Sequence, residues 1–300
     1  MKVFDILNFL KGEGLSFSFT GDVDQIVENF SSLTHYKPGS FTWIKTQENI
    51  PKRFDLSQIT LASASEGVNA GTAPNVIFAA ESKRAFFSTV EHFYAQKEER
   101  PAVGQFTYIS PKVRLGKNVR IGHNCTLDGD ITIGDGTVIW NHVTILNRVT
   151  IGQNCDIQSG AVIGHDGFAY TEDGSGRKQM VKHFGDVLIG HNVLVGSNTC
   201  ICRGTIDSTV IGDGTKIDNM CHIAHNCILE DDVALAYPCQ LGGSTHIGKR
   251  GYLASATIRN QSILGEDSFI GLGAVVVNDI EPHVIAAGVP AKPLQKKNGR

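Results

Sequence analysis

A six-residue period constrains this chain more than any other feature. Stepping by six from Ile109 meets Leu115, Ile121, Leu127, Ile133, Ile139, Ile145, Ile151, Ile157 and Ile163 without a miss. Two residues before each stands a small or β-branched residue: Thr107, Val113, Val119, Cys125, Ile131, Thr137, Val143, Val149, Cys155 and Ala161. The period resumes at Ile189, Val195 and Ile201, and again from Ile211 through Leu253. After a one-residue slip it continues at Ile258, Leu264, Ile270 and Val276. Helices need a period of 3.6 and flat strands a period of 2, so neither explains sixes. One hexad cannot bury its apolar side alone, but three hexads closed into an 18-residue coil and stacked on like coils can. The expected architecture is mainly β, a parallel β-helix of triangular section. Glycines after the aliphatic position, as at Gly116, Gly122, Gly134, Gly152 and Gly164, are expected to use their tolerance of positive φ at the corners.

Residues 1–100 lack the period and form a separate, smaller α/β domain. VFDILNFLKG reads as a short helix, ITLASAS and NVIFAA as strands, and SKRAFFSTVEHFYAQKEER as an amphipathic helix leading to a polar linker. The β-helix is expected over 101–287, with a tail over 288–300. Within it, HDGFAYTEDGSGRKQMVKHFGD, residues 165–186, interrupts the coils and must leave the stack as an excursion, the kind of loop where function concentrates.

A net charge of −3 with 19% charged residues gives no basic footprint, so no nucleic-acid partner is expected. No apolar run approaches the roughly 20 residues of a membrane span, and MKVFDILNFLKGEG is too charged for a secretory signal. A soluble, cytoplasmic protein is expected. Seven cysteines, an odd number in a long chain, fit reduced thiols better than a disulfide framework.

The stretch IDNMCHIAHNCIL places His222 and His225 between Cys221 and Cys227. Cys221, Cys227 and Cys239, like Cys125 and Cys155, take the small inward position of their hexads, where a thiol behaves as a small hydrophobe. A zinc site built from Cys221, His222, His225 and Cys227 would need four converging ligands, yet the period sends the thiols inward and the imidazoles outward. No metal is expected.

Hexads of this kind resemble the left-handed β-helix acyltransferases, which are typically trimers with active sites between coils of neighbouring subunits. More narrowly, CRGTIDSTVIGDGTKIDNMCHIAHN (202–226) and IGHDGFAY (163–170) resemble the UDP-3-O-acylglucosamine N-acyltransferases of lipid A synthesis. FSSLTHYKPGSFTWI (30–44) is similar to their uridine-binding N-terminal domain. The resemblance implies a left-handed coil, a homotrimer, a nucleotide-sugar substrate and His225 as catalytic base. The chemistry suits it, because an amine attacking a thioester sheds a proton that an imidazole can accept. Gly243, one 18-residue coil above His225, is a candidate oxyanion donor and lies where the acyl donor would bind. Asp207 is expected one coil below, orienting His225, if the irregular stretch keeps to 18. Substrate contacts are expected from Trp43, Asp166, Phe168, Asn219 and His222. Gln261 stands where the family has a second histidine and is expected, with Gly243, to contact the acyl donor. Trp43, Thr46 and Asn49 stand where it has Phe, Asn and Tyr.

The ending GLGAVVVNDIEPHVIAAGVPAKPLQKKNGR resembles coenzyme-A-dependent sugar acetyltransferases and not the helical extension of the lipid A enzymes. Lys292, with Lys296 and Lys297, would meet coenzyme A phosphates. The expected function is therefore transfer of acetyl from acetyl-CoA to the amine of a UDP-linked amino sugar in surface polysaccharide synthesis. The alternative is the lipid A reaction itself, with hydroxyacyl carrier protein as donor. Two other classes are a non-catalytic β-helix scaffold and a metal-dependent hydratase, the latter needing His222, His225 and His246 to converge.

Overall fold

The computed structural model describes residues 1–45, 56–63, 73–95 and 101–294. The chain divides into two compact units, Met1–Glu98 and Glu99–Arg300. The first contains α1 (Val3–Gly12), β1 (Ser18–Thr20), β2 (Asn29–Phe30), β3 (Ser40–Ile44), β4 (Thr60–Ser63), β5 (Asn75–Phe78) and α2 (Ser82–Tyr94). Its sheet runs β1-β5-β4-β3-β2, parallel throughout except for β1. Val3, Ile6 and Leu10 recur at helical spacing and make α1 amphipathic; with Ala85 and Phe86 of α2 they bury against Phe41, Ala62 and Ile77. Trp43 on β3 is half-buried, its ring edge-on to Phe87 at 6.1 Å. Thr46 and Asn49 lie outside the described residues.

The coils of the second unit form three sheets of eight, ten and nine strands among the described residues, parallel except for the last strand, Lys292–Pro293, which pairs antiparallel to Ile285–Ala287. Each aliphatic residue of the period pairs with its counterpart one coil on. One column runs Leu127, Ile145, Ile163, Ile201, Ile223, Leu241, Ile258 and Val276. The slip is real: Leu241 pairs with Ile258 and Ile247 with Leu264, so one coil has a residue fewer. The inward residues form one continuous apolar core from Val119 to Ala286. Cys125, Cys155, Cys221, Cys227 and Cys239 sit within it, and all seven cysteines are free thiols.

The corner glycines serve a different purpose from the expected one. Among those five, only Gly164 has a positive φ, +91°. At Gly122 a Cβ would come within 2.6 Å of the Trp140 carbonyl carbon, and at Gly134 within 2.6 Å of that of Gly152. At these two corners the coils stack too closely for a side chain. The left-handed conformation falls two residues later, at Asn118, Asn124, His142, Asn154, Asn192 and Asn198, where asparagine tolerates it best.

Candidate active site

The period breaks twice in one region, and the two breaks meet. After Ile163 the chain leaves the stack, turns through a small hairpin (Tyr170–Glu172 with Lys178–Met180) and returns by Ile189. Between Ile201 and Ile211 the spacing is ten rather than six, which makes a bulge. The returning excursion is seated on that bulge: Phe184 N–H donates to Thr205 O at 2.8 Å, Gly185 N–H to Gly204 O at 2.9 Å, and Arg203 Nε to Gly185 O at 2.9 Å.

His225 stands over this seat, outward, two residues past the inward Ile223. Asn226 follows at the corner with φ 60°. Its Oδ1 accepts from Thr205 N–H at 3.1 Å and from Thr205 Oγ1 at 2.8 Å, and its Nδ2 donates to Asp207 O at 3.1 Å. A backbone donor on one side and a backbone acceptor on the other fix which end of the amide is oxygen. His225 Nδ1, 3.0 Å from Asn226 Oδ1, must therefore carry the proton, and the neutral ring presents Nε2 as an unprotonated acceptor.

Nε2 faces Gly243. A Cβ on Gly243 would lie 2.7 Å from His225 Nε2 and Cε1, so only glycine fits beside the ring. At the same corner position elsewhere, the N–H is capped by a side chain from the coil above: Lys117 by Asp135, Ser197 by Asn219, His191 by Asp213. Among the described residues, Gly243 N–H has no such acceptor.

His183, from the excursion, packs against His225 with ring centroids 5.4 Å apart at 75°. It is 3% exposed. Its Nδ1 donates to Val181 O at 3.1 Å and its backbone N–H to Asp166 Oδ2 at 3.3 Å, while its Nε2 is buried without a partner. Gly167 separates the rings; a Cβ there would lie 2.8 Å from His225 Cδ2 and 3.0 Å from His183 Nε2. Sequence reasoning missed His183, because an aperiodic loop carries no signal of where its residues return.

A cleft opens over this arrangement, lined by Asp166, Phe168, Met180, His222, His225 and Gly243. Cys200 and Cys202 also line it, a pair sequence reasoning passed over although both flank the inward Ile201. Hydrogen bonding to Cys202, then to His222, draws the Cys200 thiol below the usual range, and the contact with Cys200 pushes Cys202 up.

Several expected site residues do not line this cleft within one chain. Asp207 is not in register with His225: the pairing of Ile201 with Ile223 puts Arg203 one coil below, because the bulge holds four extra residues. Asp207 acts only through its main-chain carbonyl, at one remove, through Asn226. Asn219 caps another corner, accepting Ser197 N–H at 2.6 Å. Gln261 N–H donates to Gly243 O at 2.8 Å, but its exposed side chain does not line the cleft. Lys292 is exposed on the last strand, away from the cleft lining, and Lys296 and Lys297 lie outside the described residues. Trp43 belongs to the other unit. His246 bonds Glu230 through Nε2 at 2.8 Å on a different sheet, so within the chain the three histidines of the hydratase reading do not converge.

Residues 130–165 match the bacterial transferase hexapeptide (six repeats), and residues 112–147 and 186–219 match the hexapeptide repeat of succinyl-transferase. UDP-3-O-acylglucosamine N-acyltransferase of Methylococcus capsulatus is 36% identical over 146 residues, 48% of this chain and 41% of that protein. Its namesake in Bordetella pertussis is 36% identical over 133 residues, 43% of this chain and 37% of that one. The match thus spans less than half the length of these curated relatives. A UDP-N-acetylglucosamine acyltransferase from Campylobacter jejuni superposes with a TM-score of 0.56 at 25% identity, covering 65% of this chain and 73% of that one. The second unit is accordingly a left-handed parallel β-helix of hexapeptide repeats. Among the described residues, no helix is long and apolar enough to cross a membrane.

Proposed function

We propose that this β-helix transfers an acyl group from a thioester to the amine of a UDP-linked amino sugar, with His225 as general base. The observation that carries the reading is the fixed tautomer of His225, whose Nε2 is left open toward an uncapped Gly243 N–H. The amine nitrogen attacks the thioester carbonyl, forming the C–N bond. Its proton passes to His225 Nε2. Gly243 N–H donates to the oxygen that becomes anionic in the tetrahedral intermediate. Collapse breaks the C–S bond, and the imidazolium returns the proton to the leaving thiolate. No covalent enzyme intermediate is needed. His183 holds the His225 ring from the side, and Asn226 holds its tautomer. His222, Asp166 and Phe168 face the same cleft and are the proposed sugar contacts.

Of the two reactions expected from sequence, the names of the relatives support the second. Both curated relatives are named for N-acylation of UDP-3-O-acylglucosamine, which supports that acceptor, and the proposed donor for it is a hydroxyacyl carrier protein. The first unit is proposed to bind the nucleotide, and the assembly is proposed to be a homotrimer. The test offers UDP-3-O-acylglucosamine and simpler UDP-amino sugars to the protein with hydroxyacyl carrier protein and acetyl-CoA side by side, with mass spectrometry of the products. The expected product is the N-hydroxyacylated sugar. An acetylated product alone would restore the acetyl-CoA reading, and no acylated product from folded protein with either donor would end both.

A further inference from the structure

The wall of the cleft carries a set of soft ligands, of which only His222 enters the proposed sugar site. Cys200 and Cys202 sit on either side of the inward Ile201, so the alternation of a strand turns both thiols to the outer face. His222 is the Cα partner of Cys200 on the next coil, a parallel strand about 4.8 Å away. His165 is the Cα partner of Cys202 on the coil before, placed there by the irregularity between Ile163 and His165. Two thiols and two imidazoles therefore share one patch. The ligand atoms of Cys200, Cys202 and His222 already lie within 4.8 Å of one another.

We propose that Cys200, Cys202 and His222 bind a thiophilic divalent d-block cation of the Zn²⁺ class, with a fourth position open to the cleft. Tetrahedral coordination with metal–sulfur and metal–nitrogen distances of about 2.3 Å and 2.0–2.1 Å separates ligand atoms by roughly 3.5–3.8 Å. The three ligand atoms, within 4.8 Å of one another, need to close by about 1 Å to reach that spacing. Two sulfurs and an imidazole select against Mg²⁺ and Ca²⁺, which take oxygen ligands. His165 is available to close the fourth position; otherwise water fills it.

The set is distinct from the Cys221, His222, His225, Cys227 tetrad, whose thiols are buried in the core, and shares only His222 with it. A second cluster of Glu266, Asp267 and His283 makes the contrast. There Arg250 already occupies the acids, at 2.6 Å from Asp267 and 3.4 Å from Glu266. Cys200 and Cys202 instead line the cleft beside His222. A bound ion would tie the coil of Cys200 to the coil of His222 and would commit His222. The site stands whether or not the cleft transfers acyl groups.

The test uses the full chain, reduced and stripped with chelator, titrated anaerobically with Co²⁺ as spectroscopic stand-in. The expected result is one Co²⁺ per chain, with thiolate-to-metal charge-transfer absorption and tetrahedral d–d bands, both bleached by Zn²⁺. Cys200→Ser and Cys202→Ser should each lower charge-transfer intensity by about half and weaken binding by about tenfold or more, an effect on the scale of a disturbed metal site. Cys221→Ala and Cys227→Ala should leave the spectrum unchanged. Charge transfer surviving in the double Cys200→Ser/Cys202→Ser variant, or no charge transfer at saturating Co²⁺, overturns the site. A measurement on wild type removes any doubt about folding of the variants. Zn²⁺ should protect Cys200 from iodoacetamide in peptide mass mapping, and equal labelling of Cys200 with and without Zn²⁺ overturns the site as well.

Discussion

The regular coils and the coil that carries His225 share one core, yet they treat the same hexad position in opposite ways. His123 and His191, two residues past Ile121 and Ile189, turn Nδ1 into a structural cap, accepting the N–H of Gln105 and Gln153 at 2.9 Å. His225 stands two residues past Ile223 and does the reverse, with Nδ1 donating to Asn226 and Nε2 left free. The difference comes from what lies above and below. The bulge at 202–208 supplies Thr205 and Asp207 to fix Asn226, and Gly243 removes the side chain that would have filled the space over the ring. A repeat fold thus makes a site by breaking its period while its core continues unbroken.

The sharpest way to break the comparison is to remove each imidazole. His225→Ala should cut turnover by about 10²–10⁴-fold with an unchanged melting temperature, while His123→Ala leaves turnover as it was. Equal losses would mean the two positions do not differ in kind. Steady-state kinetics beside thermal unfolding decides it.

Next comes the shared core. Ile145→Ala and Ile223→Ala remove fully buried side chains from the same column, and each should cost about 2–5 kcal/mol in urea denaturation. A far smaller cost at Ile223 would show that the interrupted coils do not belong to one cooperative stack.

The glycines sharpen the contrast further. Gly122→Ala drives a Cβ to 2.6 Å from the Trp140 main chain, which cannot yield, and overpacking of this kind should cost about 1–3 kcal/mol. Gly243→Ala meets only the tip of the His225 ring, at 2.7 Å. It should leave stability intact and displace the base, with turnover down about 10²-fold. Loss of stability in the second and not the first would reverse the assignment.

The mildest probe is thiol chemistry without substitution. At pH 7 in metal-free buffer, iodoacetamide should label Cys200 first, because its contacts with Cys202 and His222 favour the thiolate. Cys227, its thiol pushed up to about 12 by burial, should label only on unfolding. For that group the sign runs one way: the folded state holds its proton longer than the unfolded state, so its contribution to stability is full below pH 9.0 and is lost as pH rises toward about 12. Prompt labelling of Cys227 in folded protein would contradict its place in the core.

The hexad period by itself determined the β-helix, the 18-residue coil, the one-residue slip and the inward place of Cys125, Cys155, Cys221, Cys227 and Cys239, since each follows from local alternation and a fixed repeat. The same arithmetic put Gly243 against His225, because the coils between them are regular. It failed where the count was broken and where contacts between coils, not the count, decided. Asp207 lost its register to four extra residues, Asn219 turned out to cap a corner, and positive φ went to the asparagines because stacking distance, which no single coil contains, reserves the glycine position for want of room. His183 and the Cys200, Cys202, His222 patch were decided only by tertiary structure: one depends on where an aperiodic loop returns, the other on which residues of successive coils fall opposite each other once an insertion has shifted the numbering.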